Sequence, residues 1–169
     1  MTINIKNFLN DKSKLSKMGE FQNLKLIEGL EMSATSADLY GNGRDDLALF
    51  YFKDGANYAT VTTNNSIVSE SINWNDSSHK KSIKGLLVNT KNANTFTGKQ
   101  GKESLDILAK NLSRLLTLRE SKSENGTFET IKIKELIFAS TGVIGEQFPV
   151  DKIKDALPNL VDKLKSEHN

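Results

Sequence analysis

Thr141 and Gly142 are the residues of this chain best suited to do chemistry. They follow the apolar run Leu136-Ile137-Phe138-Ala139, which reads as a buried strand. Gly145 follows three residues later, and Pro149 opens a helix. Such a turn presents a hydroxyl and backbone N–H groups at the end of a rigid strand, where a developing oxyanion can be held by preorganised donors. The same residues also read as an ordinary strand-to-helix turn, so the rest of the chain must decide between the two.

Other chemistry is scarce. The sequence has no Cys, which removes thiolate nucleophiles, disulfides and zinc–sulfur sites. Its two His residues are His79, in the polar stretch 75–81, and His168, beside the C-terminus; neither has a ligand or triad partner nearby in sequence, and both read as solvated loop residues. Asp38-Leu39-Tyr40-Gly41-Asn42-Gly43-Arg44-Asp45-Asp46 has the alternating oxygens and central Gly of a calcium loop. But Tyr40 stands where an oxygen ligand is expected and the pattern does not repeat, so a Gly-rich turn into a strand is the competing reading. Gly98-Lys99-Gln100-Gly101-Lys102 lacks the upstream Gly spacing and the Ser/Thr of a phosphate loop and reads as a helix start. Asn89, Asn92 and Asn94 crowd one turn, where Asn tolerates left-handed backbone and bonds its own loop; a direct substrate contact is the alternative.

The elements around these residues must position them. The segment 46–52 reads as a strand, Asp54-Gly55 as a hairpin turn, 56–63 as the returning strand and 66–74 as a third extended segment. Gly85-Leu86-Leu87-Val88-Asn89 is a short strand. Leu105, Leu108, Ala109, Leu112, Leu115 and Leu116 recur at helical spacing and predict one buried stripe. The segment 135–139 is the last strand. The helix from Pro149 carries Ile153, Leu157, Leu160, Val161 and Leu164 inward, with a break expected at Pro158. Strands grouped early and mixed later with helices predict an α+β sandwich rather than a doubly wound sheet.

At 169 residues, 37% hydrophobic and 26% charged, the chain suits one globular domain, and a net charge of +2 points to neither nucleic acid nor anionic membrane. No apolar run approaches the ~18 residues of a membrane span. Residues 1–22 carry Lys6, Lys12, Lys14 and Lys17 against Asp11 and Glu20, without the apolar core of a secretory signal or the Arg of a mitochondrial presequence. They read as an N-terminal tail on a domain of residues 23–169, in the cytoplasm, with a mitochondrial location as the alternative.

Four blocks, in order, resemble the ornithine acetyltransferase family, also called the bifunctional glutamate N-acetyltransferases. They are Arg44-Asp45-Asp46-Leu47-Ala48-Leu49; Ala59-Thr60-Val61-Thr62-Thr63-Asn64; Val88-Asn89-Thr90-Lys91-Asn92-Ala93-Asn94 with the trailing Thr97-Gly98 and Gln100-Gly101; and Ala139 to Glu146 with Pro149 and Asp151-Lys152-Ile153. The last matches the family's Ser-Thr-Gly-Val-Ile-Gly-Glu block almost residue for residue, and the likeness runs from about Ile27 to the C-terminus.

The resemblance implies an α/β sandwich of two stacked sheets covered by helices. It also implies a precursor that cuts itself before a Thr, which becomes the nucleophile of a second chain. That enzyme takes acetyl from N-acetylornithine and passes it to glutamate in arginine biosynthesis. The resemblance puts oxyanion stabilisation on Thr141 and Gly142. It calls for no metal and no cofactor, with acetyl-CoA as a possible second acetyl donor. Its partner would be the β-chain of the same precursor in an α2β2 heterotetramer. On this reading the present chain is the α-chain part, ending before the self-cleavage site, with sheet edges and an apolar face left open. Lys91 departs from the pattern, standing where the family usually has Gly; a positive φ there would strain it. Two other readings stay open: a relative that transfers other acyl groups or acts like an aminopeptidase, and a non-catalytic calcium-binding or interaction module built on the Gly41-Asn42-Gly43-Arg44 loop.

Overall fold

The computed structural model describes residues 27–78, 82–122 and 129–166. Among them one mixed sheet of four strands is ordered β1-β2-β3-β4: β1 Leu30–Thr35, β2 Leu47–Asn57, β3 Ser82–Asn89 and β4 Leu136–Ser140. The first three strands are antiparallel neighbours, and β4 runs parallel to β3. A parallel step needs a long crossover. Helix α2 (Gly98–Ser121) provides it, while α1 (Glu70–Ser78) and α3 (Val150–Asp162) complete the described helices, with a short 3-10 turn at Ile133–Glu135 leading into β4.

The leucine stripe of α2 is the centre of the core, as its spacing predicts. Leu105, Leu108, Ala109, Leu112 and Leu116 are buried against Ile153, Leu157 and Leu160 of α3 and against Leu49, Tyr51, Leu87, Leu136 and Phe138 of the sheet. Each leucine, isoleucine or phenylalanine among them contributes about 1.5–3 kcal/mol on leaving water. Tyr51 is the one phenol in this layer. Burial first, then the neighbouring Glu120 carboxylate, pushes its ionisation well above the ordinary range. Arg119 bridges Glu31 at 2.6 Å and Glu120 at 3.3 Å beside it.

Several sequence expectations are corrected. Asp54-Gly55 is no hairpin: β2 runs through it to Asn57, advancing from Tyr51 to Ala56 while β3 advances only from Gly85 to Ile83. The Asp-Gly pair is therefore an irregularity within a strand, with Gly55 at φ +80°. Residues 58–65 form no strand; they are mostly exposed, and their small and hydroxyl side chains bury too little to hold one. The segment expected to be extended at 66–74 becomes α1. Ser69 starts it, its hydroxyl accepting the Ile72 N–H at 3.3 Å, with Glu70 in the first turn. Pro158 does not break the last helix, which continues to Asp162. Its final turn is tied to β1, where Ser33 Oγ donates to the Leu160 carbonyl at 2.7 Å and Asn159 Nδ2 donates to Thr35 Oγ1 at 2.9 Å. Those bonds and the buried apolar face offset the lost backbone bond. β1 was missed by the sequence reading. The tail, His79 and His168 lie outside the described residues.

The α+β class holds. Among the described residues there is one sheet, covered by α2 and α3 on one face. The other face carries Met32, Phe50, Leu86 and Ile137 in register across all four strands, with Ala34, Ala48, Val88 and Ala139 in the next row. The sheet edges, expected to be open, are each partly occupied among the described residues. At β1, Met32 exchanges backbone bonds with Lys165 at 2.9 and 3.2 Å. At β4, the Asn75 side chain donates to the Phe138 carbonyl at 2.8 Å and accepts the Phe138 N–H at 3.0 Å, and Trp74 Nε1 donates to the Leu136 carbonyl at 2.9 Å. The Asn75 amide thus stands in for a neighbouring strand.

Replacing Asn75 with Leu leaves the Phe138 N–H and C=O without a partner on an apolar edge. Urea unfolding should report a loss of about 1–3 kcal/mol. Light scattering should show new self-association through β4.

Candidate active site

Strands β3 and β4 end their regular pairing at Asn89 and Ser140, but the ladder does not stop there. Thr141 N–H donates to the Asn89 carbonyl at 3.1 Å, Val143 N–H to the Lys91 carbonyl at 2.9 Å, and Ala93 N–H to the Val143 carbonyl at 3.0 Å. Gly145 N–H closes the far end on the Thr95 carbonyl at 2.9 Å. The 140–145 turn is therefore zipped along the asparagine turn rather than hanging from the sheet. Gly142 makes this possible. Its φ is +134°, and a Cβ there would run into the carbonyl group of Lys91 and stand 2.7 Å from the Asn92 nitrogen. No other residue fits.

The three asparagines build the opposite wall. All are buried, Asn94 completely. Asn89 Nδ2 donates to the Thr90 and Asn92 carbonyls at 3.1 and 2.9 Å. Asn92 Nδ2 donates to the Glu146 carbonyl at 3.0 Å, and its Oδ1 accepts the Asn94 N–H at 2.8 Å. Asn94 Oδ1 accepts from Thr97 Oγ1 at 2.8 Å, and its Nδ2 donates to the Gly101 carbonyl at 3.3 Å. These amides organise the loops and are not presented to a substrate. Gly101, read as a possible phosphate-loop glycine, is bare because a Cβ there would strike Thr97 Oγ1 and stand 2.5 Å from Asn94 Oδ1. A further anchor left no mark in the hydrophobic pattern: Ser71 of α1 shares a hydrogen bond with Ser140 at 2.8 Å, just before the turn.

Thr141 and Gly142 are both exposed. The Thr141 N–H is committed to Asn89. The Thr141 hydroxyl and the Gly142 N–H carry no hydrogen bond among the described residues. The turn thus leaves two donors on a backbone fixed by pairing, with Val143 and Ile144 exposed beside them. A groove of about 410 Å³ between α1 and α2, lined by Trp74, Lys102, Leu105 and Asp106 among others, lies apart from this turn.

The loop read as a possible calcium site is organised by its own carboxylate. Asp46 is buried, Oδ1 accepting the Ala37 N–H at 2.6 Å and Oδ2 the Leu39 N–H at 2.7 Å, so both oxygens serve the turn. Arg44 lies over the Tyr40 ring, 3.7 Å from its centre. Lys91, where sequence reading warned of strain, does sit at φ +76°.

These backbone positions give two opposite expectations. Gly142→Ala should cost about 3 kcal/mol or more, from a disallowed φ and a backbone collision together. Lys91→Gly should raise stability by up to about 1 kcal/mol, the relief of left-handed strain exceeding the added unfolded-state entropy. Thermal and urea melts of both variants check the signs.

The ArgJ family profile matches residues 31–169. An arginine biosynthesis bifunctional protein from Gluconobacter oxydans is 34% identical over 136 residues, 80% of this chain and 29% of its own length. One from Bartonella quintana is 29% identical over 142 residues, 83% of this chain and 31% of its own. The chain thus spans about a third of the length of these relatives. In fold it is similar to the crystal structure of the Bacillus halodurans bifunctional protein, with a TM-score of 0.69 at 22% identity over 83% of this chain and 66% of that one. It is also similar to ornithine acetyltransferase complexed with ornithine from Mycobacterium tuberculosis, with a TM-score of 0.73 at 22% identity over 83% of this chain and 69% of that one. With the family pattern running through both walls of the turn and on to the last residue, this chain belongs to the ArgJ family.

Proposed function

We propose that this chain is the oxyanion-holding part of an enzyme that moves an acetyl group from N-acetylornithine to glutamate in arginine biosynthesis. The observation that carries the reading is the pair of unengaged donors, the Thr141 hydroxyl and the Gly142 N–H, held on a ladder that extends past both parallel strands. In the proposed reaction a Thr hydroxyl from the second chain of the same precursor attacks the acetyl carbonyl carbon. The carbonyl oxygen takes up the negative charge, and Thr141 and Gly142 donate to it. Collapse breaks the bond to ornithine nitrogen, which leaves with a proton. The amine of glutamate then attacks the resulting acetyl ester, the same two donors serve the second tetrahedral intermediate, and its collapse breaks the ester bond, the Thr oxygen leaving with a proton from the amine to restore the hydroxyl.

The reaction needs no redox or metal step, and acetyl-CoA would enter only as another acetyl donor. The remaining two thirds of a protein of the relatives' length would supply the nucleophile. It would also supply a second sheet to cover the Met32–Phe50–Leu86–Ile137 row, within an α2β2 assembly. The likeness to bacterial relatives favours the cytoplasm. Among the described residues no helix is long and apolar enough to cross a membrane.

Thr141→Val tests the role of the turn. Val keeps the shape and branching of Thr but has no hydroxyl. In the assembled enzyme kcat should fall about 10²–10³-fold, the effect of losing one such donor, with KM nearly constant because the bond strengthens mainly in the transition state. If Thr141 only shapes the turn, the melting temperature falls and kcat per folded molecule does not. Residues 1–169 without the second chain should show no turnover with N-acetylornithine and glutamate.

A further inference from the structure

Phe96 is held in a backbone conformation that an aromatic residue disfavours, with its ring in solvent. Its φ is +63°, in the left-handed region, and it is 68% exposed. Both flanks are fixed. The Thr95 carbonyl accepts the Gly145 N–H at 2.9 Å, and the Thr97 hydroxyl donates to the buried Asn94 side chain at 2.8 Å. Gly or Asn would fit that backbone with less strain. Since most of the Phe96 surface stays in water, packing within this chain does little to offset the strain.

The hydrogen bond from Gly145 also locates this residue. It joins the peptide unit between Thr95 and Phe96 to the unit between Ile144 and Gly145, so Phe96 and Ile144 spring from one pair of bonded peptides. Ile144 is 63% exposed and Val143 40%. Gly142, whose N–H is one of the two unengaged donors, directly precedes Val143. Three apolar side chains thus stand in solvent on the backbone that carries the donors or is bonded to it. Their exposed area comes to roughly 300 Å², the scale of functional patches on monomeric proteins.

We infer that Phe96, Ile144 and Val143 form the surface on which the second chain of the same precursor docks, so that the site is completed at that interface. This rests on the reaction proposed above, which takes its nucleophile from that chain. A Thr hydroxyl that attacks an acyl carbon held at this turn must come within about 3–3.5 Å of it. The backbone bearing that Thr must then pass over the turn and meet the side chains that flank the donors. This chain spans about a third of its relatives' length, and a protein of that length has ample further chain to supply the cover. The acyl group itself is too small to do so, because an acetyl methyl leaves most of the patch in water. Docked apolar side chains also exclude water from the donors, which strengthens their bonds to a developing oxyanion. The strain at Phe96 is then offset in the assembly and not in the single chain.

Footprinting and assembly measurements test this. Hydroxyl-radical footprinting should label Phe96, Ile144 and Val143 in the present chain and find all three protected in the assembled enzyme without substrate. Continued labelling in the assembled enzyme overturns the inference. So does protection that appears only on adding N-acetylornithine, which would assign the patch to the ligand. By analytical ultracentrifugation, Phe96→Gly and Ile144→Ser should each weaken association with the second chain about tenfold to a hundredfold, and Phe96→Leu should retain most of it. Phe96→Gly should meanwhile leave the melting temperature of the present chain unchanged or higher, since Gly relieves the left-handed strain. Unchanged association in both polar or truncated variants, or a loss that only follows a lower melting temperature, also overturns the inference. The two proposals fail separately. An assembled enzyme that transfers acetyl while Phe96 stays labelled keeps the function and removes the docking surface; a protected Phe96 in an assembly that transfers no acetyl does the reverse.

Discussion

The candidate site depends on one close approach, the backbone of Gly142 against the carbonyl of Lys91 and the nitrogen of Asn92. Because no Cβ intervenes, the 140–145 turn can lie on the asparagine turn closely enough for the parallel ladder to continue past Ser140. The bonds from Thr141, Val143, Ala93 and Gly145 follow from that contact. They convert two loops, which would otherwise move independently, into an extension of the sheet. Preorganised donors are effective only if the backbone bearing them does not have to reorganise when charge develops. Here that rigidity comes from backbone pairing and not from side-chain packing, since Thr141, Gly142 and the residues after them are exposed.

The opposite turn pays for this with strain. Lys91, Asn94 and Phe96 have φ of +76°, +48° and +63°. Left-handed conformations persist at non-Gly residues where surrounding structure over-determines them. The buried amides of Asn89, Asn92 and Asn94 do so, each bonding backbone groups of its own turn or of a neighbouring segment. Burying an amide is costly without partners, but these are supplied with both donors and acceptors, so the polar cluster rigidifies the loop instead of weakening the core.

The rest of the described fold is covered by helices on one sheet face, partly occupied at its edges and apolar on the other face. Helices α2 and α3 seal one sheet face with leucine and isoleucine, and the Lys165 backbone and the Asn75 and Trp74 side chains occupy the outer edges. The remaining face presents aligned apolar rows across all four strands. Edge-to-edge growth of the sheet is thereby hindered at those points, and the Met32–Phe50–Leu86–Ile137 row of the other face is half-buried to buried among the described residues.

The sequence by itself determined the α+β class, the buried stripe of α2, the strands that flank the site, and the Thr141–Gly142 turn, because each is written in local apolar spacing or in a residue type the backbone requires. It also flagged Lys91 as a strained position. Tertiary structure decided the rest. Helix α1 was hidden because its contacts with β4 are made largely by hydrogen bonds of Ser71, Trp74 and Asn75, which a hydrophobic pattern does not register, and by the single Trp74 ring against Phe138; the Ser69–Glu70 cap was its local signal. The Asp54-Gly55 pair stays within a strand because β3 pairs on both sides of it, and Pro158 stays within a helix because β1 anchors the turn beyond it. Which donors of the turn are free was equally beyond local reading. The Thr141 N–H is lost to Asn89 while the neighbouring Gly142 N–H is not, and only the pairing of two strands distant in sequence distinguishes them.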